Sequence, residues 1–253
     1  MTKSPLALVT GGARRIGRAI VEDLAQNGFA VAIHANRSMA EARTIADGIV
    51  SRGGVAFCFE ADLENMDSVR ALLPQVQKKA GHVSLLVNNA STFDEDCADA
   101  LDEAVFDRHL ALHVKTPSFL SQAFAAQLPA GENGLIINVI DERVWKLTPK
   151  FYSYTLSKTA LWAATRTMAQ TFAPRIRVNA IGPGPTLPNS RQSEADFQEQ
   201  SKRLPLGRGP ELAEFGATIR YLWSAKSVTG QMIALDGGQH LAWQTPDVTG
   251  IVE

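Results

Sequence analysis

The chain has 253 residues, enough for one large α/β domain or two small ones. Hydrophobic residues make up 45% and charged residues 20% of it, which is ordinary for a globular protein and allows one sizeable core. The net charge of −1 gives no electrostatic reason to expect binding to nucleic acid or to an anionic membrane.

The two cysteines, Cys58 and Cys97, show no spacing typical of a metal site. We therefore expect no metal and a reducing, cytoplasmic setting. The first residues contain no apolar segment of signal-peptide length. No apolar run approaches the ~18 residues of a membrane-spanning helix, so no membrane association is expected.

Residues 6–33 predict a dinucleotide-binding unit. The apolar run 6–9 indicates a buried strand, and a helix and a second strand over 29–33 follow the glycine turn 10–17. Glycines in such a turn let the backbone approach a pyrophosphate, and the helix N-terminus supplies N–H donors. The turn departs from the common pattern, because Arg15 stands where a middle glycine is expected.

The residues after the second strand distinguish NAD from NADP. An Asp or Glu there would bind the ribose 2′-hydroxyl of NAD, but the chain has Asn36-Arg37-Ser38. The planar Arg37 guanidinium suits a 2′-phosphate, and Arg14 in the glycine turn could close the pocket from the other side. Ser38 and Glu41 also match a capping box for the next helix, and both interpretations can hold together. We predict NADP(H) as the cofactor.

The rest of the chain alternates between strands and helices. Strands are predicted over 55–59, 85–87, 135–140, 176–180 and 232–235, and helices over 39–52, 66–79, 100–128, 153–172 and 211–224. Pro74 should kink its helix or divide it into two short pieces. Asp62 follows a strand, so it could reach the adenine amino group or cap the next helix.

This alternation predicts a single doubly wound α/β (Rossmann) domain, a mostly parallel sheet with helices on both faces. Ligands bind such sheets beyond the carboxyl ends of the strands. Asn36 to Ser38, Asn88-Asn89, Asp141 and Gly182-Pro183-Gly184 all follow strands, so we expect them to line one edge together with the glycine turn. The long polar stretch 185–210 is predicted to be a substrate lid.

Tyr154 and Lys158 stand four residues apart in a predicted helix and therefore share one face. An ammonium one turn from a phenol favours the phenolate, so we expect a lowered pKa for Tyr154. A tyrosine with such a pKa can exchange a proton with a carbonyl or an imine near neutral pH. The alternative is a core tyrosine beside a solvated lysine.

Together these residues resemble the short-chain dehydrogenase/reductase family over essentially the whole chain. The shared motifs are TGG...G at 10–17, NNA at 88–90, YxxxK at 154–158, PG at 183–184 and TGQ...DGG at 229–238. In that family the Tyr donates the proton, the Lys lowers its pKa and binds the nicotinamide ribose, and hydride passes between nicotinamide and substrate.

The resemblance implies NADP(H) contacts from residues at the carboxyl ends of the strands and from the YxxxK lysine. They are Gly11, Arg14, Arg15, Ile16, Gly17, Asn36, Arg37, Ser38, Asp62, Leu63, Asn89, Ala90, Ser91, Lys158, Pro183, Gly184 and Thr186. It also implies a homotetramer. The tail 240–253, with Trp243 and Pro246, could pack on a neighbouring subunit, a plain surface tail being the alternative.

Four departures from the family pattern are informative: Asp141 replaces the usual Ser, Arg15 the middle glycine, Ser91 the Gly after NNA, and His113 the usual catalytic Asn. The first three coincide with the pteridine reductase and dihydromonapterin reductase branch. There Asp, Tyr and Lys form the active site, and the Arg and the Ser contact cofactor and pterin.

The same branch has a Phe that stacks on the pterin, and Phe93 stands at the matching position. An ionised Asp141 would raise the Tyr154 pKa and oppose Lys158, so the pair should titrate as a coupled unit that shares a proton. The alternative for Asp141 is a turn cap, assisted by Glu142 and Arg143.

We therefore expect an enzyme that reduces a dihydropterin-like C=N bond with NADPH, using Tyr154, Asp141 and Lys158 in catalysis. Arg15, Ser91, Phe93, Asp141 and Tyr154 are the predicted substrate contacts. A carbonyl reductase of the same family and a non-catalytic NADP-binding sensor are the alternatives.

Overall fold

A computed structural model of the protein describes residues 4–189, 191–245 and 248–250. Seven parallel strands form one sheet in the order β3-β2-β1-β4-β5-β6-β7. The strands are β1 Leu6–Val9, β2 Ala30–Ala35, β3 Ala56–Glu60, β4 Leu85–Asn88, β5 Gly134–Val139, β6 Ile176–Pro183 and β7 Met232–Leu235. This confirms the predicted single doubly wound domain.

Helices connect the strands and cover both faces of the sheet. They are α1 Arg15–Gln26, α2 Met39–Ser51, α3 Met66–Ala80, α4 Glu103–Leu110, α5 Thr116–Gln127, α6 Tyr152–Phe172, α7 Glu194–Lys202 and α8 Leu212–Ser224. One core packs α1, α2 and α8 on one face, and a second core packs α3 and α5 on the other. Along β1, Ala7 and Val9 face the first core while Leu6 and Leu8 face the second, as the two-residue period of a strand requires.

Two helix predictions need correction. Helix α3 runs unbroken through Pro74, so the proline does not divide it into two pieces. The predicted helix 100–128 consists of α4 and α5 joined by a π-helical turn at Ala111–Lys115. Turns of this kind are frequent at functional sites, and this one carries His113.

The order of the strands reverses between β1 and β4, and this is where doubly wound sheets bind ligands. Side chains tie the two strand ends together. Asn89 Nδ2 donates to the Thr10 and Gly11 carbonyl oxygens at 2.9 and 3.1 Å, while Thr10 Oγ1 accepts from the Asn89 amide at 2.9 Å. The loop after β4 is therefore fixed against the glycine turn.

Within the described ranges, no helix is long and apolar enough to cross a membrane. Trp243 in the tail is 72% exposed, and Pro246 lies outside the described residues. Packing of the tail on a neighbouring subunit stays a prediction.

Candidate active site

Most of the predicted site residues converge on a cleft of about 420 Å³ at the carboxyl edge of the sheet. Those that line it are Gly11, Arg14, Arg15, Ile16, Gly17, Asn89, Ala90, Ser91, Phe93, Asp141, Tyr154, Lys158, Pro183, Gly184 and Thr186. The remaining five, Asn36, Arg37, Ser38, Asp62 and Leu63, follow the ends of β2 and β3 and do not line the cleft. The structure thus groups most of the predicted residues and sets the 36–38 and 62–63 segments apart.

The glycine turn forms a close backbone cradle at the start of α1. Gly11 has a φ of 62°, in the left-handed region that favours glycine. A Cβ at Gly17 would collide with the Gly11 carbonyl oxygen and lie 2.6 Å from Asn89 Nδ2, so only glycine fits there. No side chain caps α1, so the N–H groups of its first turn can bind an anionic group.

Arg15 occupies the position of the missing glycine with a φ of 51°. The turn keeps its left-handed shape although the residue has a side chain. The Arg15 guanidinium donates to the carbonyl oxygens of Pro188 and Leu187 at 2.9 and 3.2 Å. In this structure Arg15 therefore holds the predicted lid at the mouth of the cleft, a contact that the sequence did not indicate.

The predicted capping box at the start of α2 does not form. Ser38 makes no side-chain capping bond, and Glu41 instead accepts from Arg14, whose Nε lies 3.0 Å away. Arg14 thus bridges the glycine turn to α2 and borders the region that follows β2. Arg37 is exposed, and no hydrogen bond or ion pair within the described residues engages its side chain.

After β3, the prediction that Asp62 caps the next helix is wrong. Asn65, not Asp62, caps α3 by accepting from the amides of Asp67 and Ser68 at 2.9 and 3.1 Å. Asp62 accepts from the Glu64 amide at 3.0 Å and from Asn36 Nδ2 at 3.4 Å. Its carboxylate therefore joins the ends of β2 and β3, and its contact with the adenine amino group stays a prediction.

Tyr154, Asp141 and Lys158 form a buried triad at the end of β5. Tyr154 Oη donates to Asp141 Oδ2 at 2.8 Å, and Lys158 Nζ donates to the Val139 carbonyl oxygen at 2.9 Å. Tyr154 and Lys158 are 6% and 2% exposed, and the Asp141 side chain is 19% exposed. The alternative of a solvated lysine is wrong.

The expected fall in the Tyr154 pKa is also wrong for this state of the site. Burial, the Asp141 charge and the hydrogen bond to Asp141 raise the pKa of Tyr154 well above its usual value. Burial also raises the pKa of Asp141 and lowers that of Lys158 to about 8. Tyr154 therefore keeps its proton and donates it in the hydrogen bond to Asp141. Titration of the two groups as a coupled unit stays a prediction.

Asp141 makes both of the interactions that the sequence left open. Its Oδ1 accepts from the Arg143 amide at 3.0 Å and caps the short 3₁₀ turn Glu142–Val144. Its Oδ2 accepts from Tyr154. Because the turn cap fixes the carboxyl group, the second oxygen is held toward the phenol.

Phe93 and Ser91 lie on the loop after β4, beside this triad. The Phe93 ring stacks on Phe151 with centroids 4.1 Å apart and meets the Tyr154 ring edge-on at 4.8 Å. Phe151 covers one face of Phe93. It is the residue immediately before α6, and its backbone has a left-handed φ of 59°. The loop after β4 is also held by Arg191, which donates to the Phe93 carbonyl oxygen at 3.1 Å.

The site also includes residues outside the predicted contacts, although the sequence had placed His113 at the position of the usual catalytic Asn. Five such residues line the cleft or support it, and each lies in a loop or turn at the sheet edge or in the π-helical turn. They are Glu142, Arg143, Gln239, Arg191 and His113. Glu142 and Arg143 directly follow Asp141, which was the available signal for them. Arg191, Gln239 and the contacts of His113 depend on packing between distant segments and carry no local pattern.

Glu142 is 4% exposed although it carries a carboxyl group, and its Oε2 has no hydrogen-bond partner in the described residues. Burial, with the nearby Asp141 charge, raises its pKa to about 7. Buried carboxyl groups without a partner are unusual outside functional sites.

Comparison with known proteins finds a family model and several similar proteins. The sequence model of the family described as short chain dehydrogenase matches residues 5–199. The crystal structure of FolM alternative dihydrofolate reductase 1 from Brucella canis, complexed with NADP, is 60% identical with a TM-score of 0.96 and covers 98% of this chain and 99% of that one. The Brucella suis protein of the same name, also in complex with NADP, is 59% identical with a TM-score of 0.96 and covers 98% and 100%.

A curated relative has a different name. The 3-oxoacyl-[acyl-carrier-protein] reductase FabG of Staphylococcus aureus is 30% identical over 246 residues, which are 95% of this chain and 99% of that protein. The two similarities agree on the family and differ in the reactions that the names describe.

Replacement of Arg37 by Ala tests the 2′-phosphate site. A charge-assisted hydrogen bond contributes ~1.5–3 kcal/mol, so we expect Arg37→Ala to weaken NADPH binding by roughly 10- to 100-fold and to leave NADH binding nearly unchanged. Titration calorimetry with both cofactors measures this. Arg43→Ala on α2 is the control, since it removes the same charge from an exposed position nearby. Equal losses for NADPH and NADH would show that Arg37 does not bind the 2′-phosphate.

Glu142 should make the folded state less stable as pH rises. The unfolded carboxyl has its ordinary pKa of 4.5 and the folded one about 7, so the folded state binds this proton more tightly. Stability is therefore lost between these two values and stays lost above them. We expect Glu142→Gln to be more stable than the wild type at about pH 8 and to lose most of that advantage at about pH 5.

Urea unfolding at the two pH values measures this difference. The exposed Glu194→Gln on α7 serves as the control and should show no such pH-dependent gain. A Glu142→Gln protein with the same advantage at both pH values would mean that Glu142 is ionised equally easily in the folded and unfolded chain.

Proposed function

The chain belongs to the short-chain dehydrogenase family, and we propose that within it the protein is an NADPH-dependent reductase of a dihydropterin-like C=N bond. The observation that carries the proposal is the Asp141 carboxyl group at the family's usual Ser position, hydrogen-bonded to Tyr154 Oη at 2.8 Å. The similarity to the two Brucella proteins named dihydrofolate reductases supports it independently.

The glycine cradle fits the cofactor. Gly17 leaves no room for a side chain beneath the turn, and the uncapped start of α1 offers free N–H donors to a pyrophosphate. Arg37 is exposed after β2, where an acidic residue would bind NAD. NADPH supplies the hydride when bound, and the buried Lys158 at the cleft is suited to hold its ribose.

Tyr154 donates the proton to the substrate, and Asp141 reprotonates Tyr154. Reduction of a C=N bond adds hydride to the carbon and a proton to the nitrogen. Tyr154 keeps its proton in this site and donates it as the nitrogen gains electron density. Asp141, with a raised pKa and 19% of its side chain exposed, can then bind a proton from solvent in the cleft and pass it to the phenolate.

A flat heterocycle suits the remaining walls of the cleft. Phe93 lines the cleft beside Tyr154, and an aromatic stack adds ~0.5–1.5 kcal/mol beyond area burial. A carboxyl group pairs with the ring nitrogens and the exocyclic amino group of a pterin. A simple ketone has no flat ring to stack on Phe93 and no nitrogen edge to meet Asp141.

Carbonyl reduction is the second candidate, because the Tyr154–Lys158 pair serves both reactions and a curated relative at 30% identity is an oxoacyl reductase. A non-catalytic NADP sensor is the third, and NADPH turnover with any substrate would eliminate it. A cytoplasmic location and a homotetramer remain part of the proposal.

Replacement of Tyr154 by Phe tests the proton donor. The change keeps the ring and its packing against Phe93 but removes the transferable proton. We expect NADPH binding to survive and turnover to fall by ~100-fold or more. Steady-state NADPH oxidation and cofactor titration measure the two effects. Retained turnover would move the donor role to another group, with Asp141 as the next candidate.

Replacement of Asp141 by Ser tests the substrate. The change restores the family's usual residue, so a pterin reductase should lose dihydropterin reduction by roughly 100-fold, while a carbonyl reductase should keep or gain turnover. NADPH oxidation is measured with dihydropterins, dihydrofolate and simple ketones for the wild type, Asp141→Ser and the isosteric Asp141→Asn. Wild-type protein that ignores every dihydropterin, with a ketone activity that Asp141→Ser retains, would reject the pterin assignment.

A further inference from the structure

His113 connects the loop after β4 to helix α6 from inside the π-helical turn. It is 1% exposed. Its Nε2 lies 2.9 Å from Ser91 Oγ and accepts from the Thr92 amide at 3.2 Å, while its Nδ1 lies 2.8 Å from Ser157 Oγ. One imidazole thus has three polar partners on two segments that line or support the cleft.

These contacts assign the tautomer. The Thr92 amide can only donate, so His113 Nε2 must carry a lone pair. The proton is therefore on Nδ1 and is donated to Ser157 Oγ, which itself donates to the Tyr154 backbone carbonyl at 2.7 Å. Burial, with the charges of Lys158 and His109, holds the pKa of His113 well below its usual value. The ring stays neutral, so it is a fixed acceptor and not a proton carrier.

The Ser91 hydroxyl has one proton and several neighbouring acceptors, of which the Thr92 carbonyl oxygen lies 3.2 Å from its Oγ. The hydroxyl also lies 2.9 Å from His113 Nε2, and it lines the cleft together with Tyr154, where it opposes the rise in the Tyr154 pKa. While Tyr154 donates to Asp141, the Ser91 proton can rest on His113. After Tyr154 has lost its proton, the phenolate becomes the stronger acceptor.

We propose that His113 is a positioning residue, which holds the Ser91 hydroxyl ready to donate to the phenolate that forms when Tyr154 gives up its proton. This inference rests on the proposed role of Tyr154 as proton donor. The groups around Tyr154 are Asp141 and Arg143 from the turn after β5, Lys158 from α6, His109 from α4, His113 and Ser91. Among these groups Ser91 carries a hydroxyl that can donate to the phenolate, and His113 orients this hydroxyl.

His109 provides a matched comparison. It stacks on His113 with centroids 5.5 Å apart and is 0% exposed. Its Nδ1 lies 2.7 Å from Ser153 Oγ, and its Nε2 accepts from the Asp94 amide at 3.3 Å. The two histidines share burial and bonding pattern, but only His113 contacts Ser91.

A double-mutant cycle tests the proposal in the full-length protein. Asn at position 113 reaches only the place of Nδ1 and loses the acceptor for Ser91, whereas Gln reaches the place of Nε2 and retains it. We expect His113→Asn and Ser91→Ala each to lower kcat by about tenfold with little change in KM, the double variant to lose about tenfold in total, and His113→Gln to recover most of the loss. His109→Asn should instead combine multiplicatively with Ser91→Ala.

Nitrogen NMR of the histidine rings supplies a test that needs no turnover. We expect His113 to remain neutral with its proton on Nδ1 between about pH 5 and 8. A His113 ring that titrates in this range, or carries its proton on Nε2, would overturn the proposal. So would multiplicative losses for His113→Asn and Ser91→Ala. An active Tyr154→Phe enzyme would defeat the proposed donor role while leaving the NMR result intact, so the two failures are distinguishable.

Discussion

The hydrogen bond between Tyr154 and Asp141 is the interaction on which the site depends. It joins the start of α6 to the turn after β5, and both partners are removed from most of the solvent. Because an ionised carboxylate next to a buried phenol disfavours the phenolate, this bond keeps the proton on Tyr154. In the proposed reaction, this protonated phenol is the donor and the substrate nitrogen is the acceptor.

Burial of Lys158 follows from the same arrangement. The Lys158 side chain is 2% exposed, so its charged ammonium form is costly without partners. Burial therefore lowers its pKa to about 8. Asp141 and the Val139 carbonyl oxygen at 2.9 Å offset part of that cost. The Arg143 amide donates to Asp141 and thereby fixes the carboxyl group. In this position the carboxylate charge acts on both Tyr154 and Lys158.

The sequence could predict the sheet, most strand ends and the convergence of the motif residues, because each depends on local periodicity and on the geometry of parallel sheets. It could not predict the Tyr154 pKa, which depends on burial and on a carboxyl group 13 residues away. The capping box failed because Arg14, 27 residues before Glu41, competes for the same carboxylate. The contacts of His113 likewise arise only where α4, the β4 loop and α6 meet.

Two residues at or beside the cleft have strained, left-handed backbone conformations. Among the described residues, Arg15 and Phe151 are the non-glycine residues with positive φ, and each such conformation costs about 1–3 kcal/mol. Arg15 uses its side chain to hold the carbonyl oxygens of Leu187 and Pro188, and Phe151 stacks on Phe93. A glycine at position 15 would relieve the strain and leave Leu187 and Pro188 without this contact. The fold thus tolerates two unfavourable conformations. One places Arg15 in the lining of the cleft, and the other places Phe151 against the lining residue Phe93.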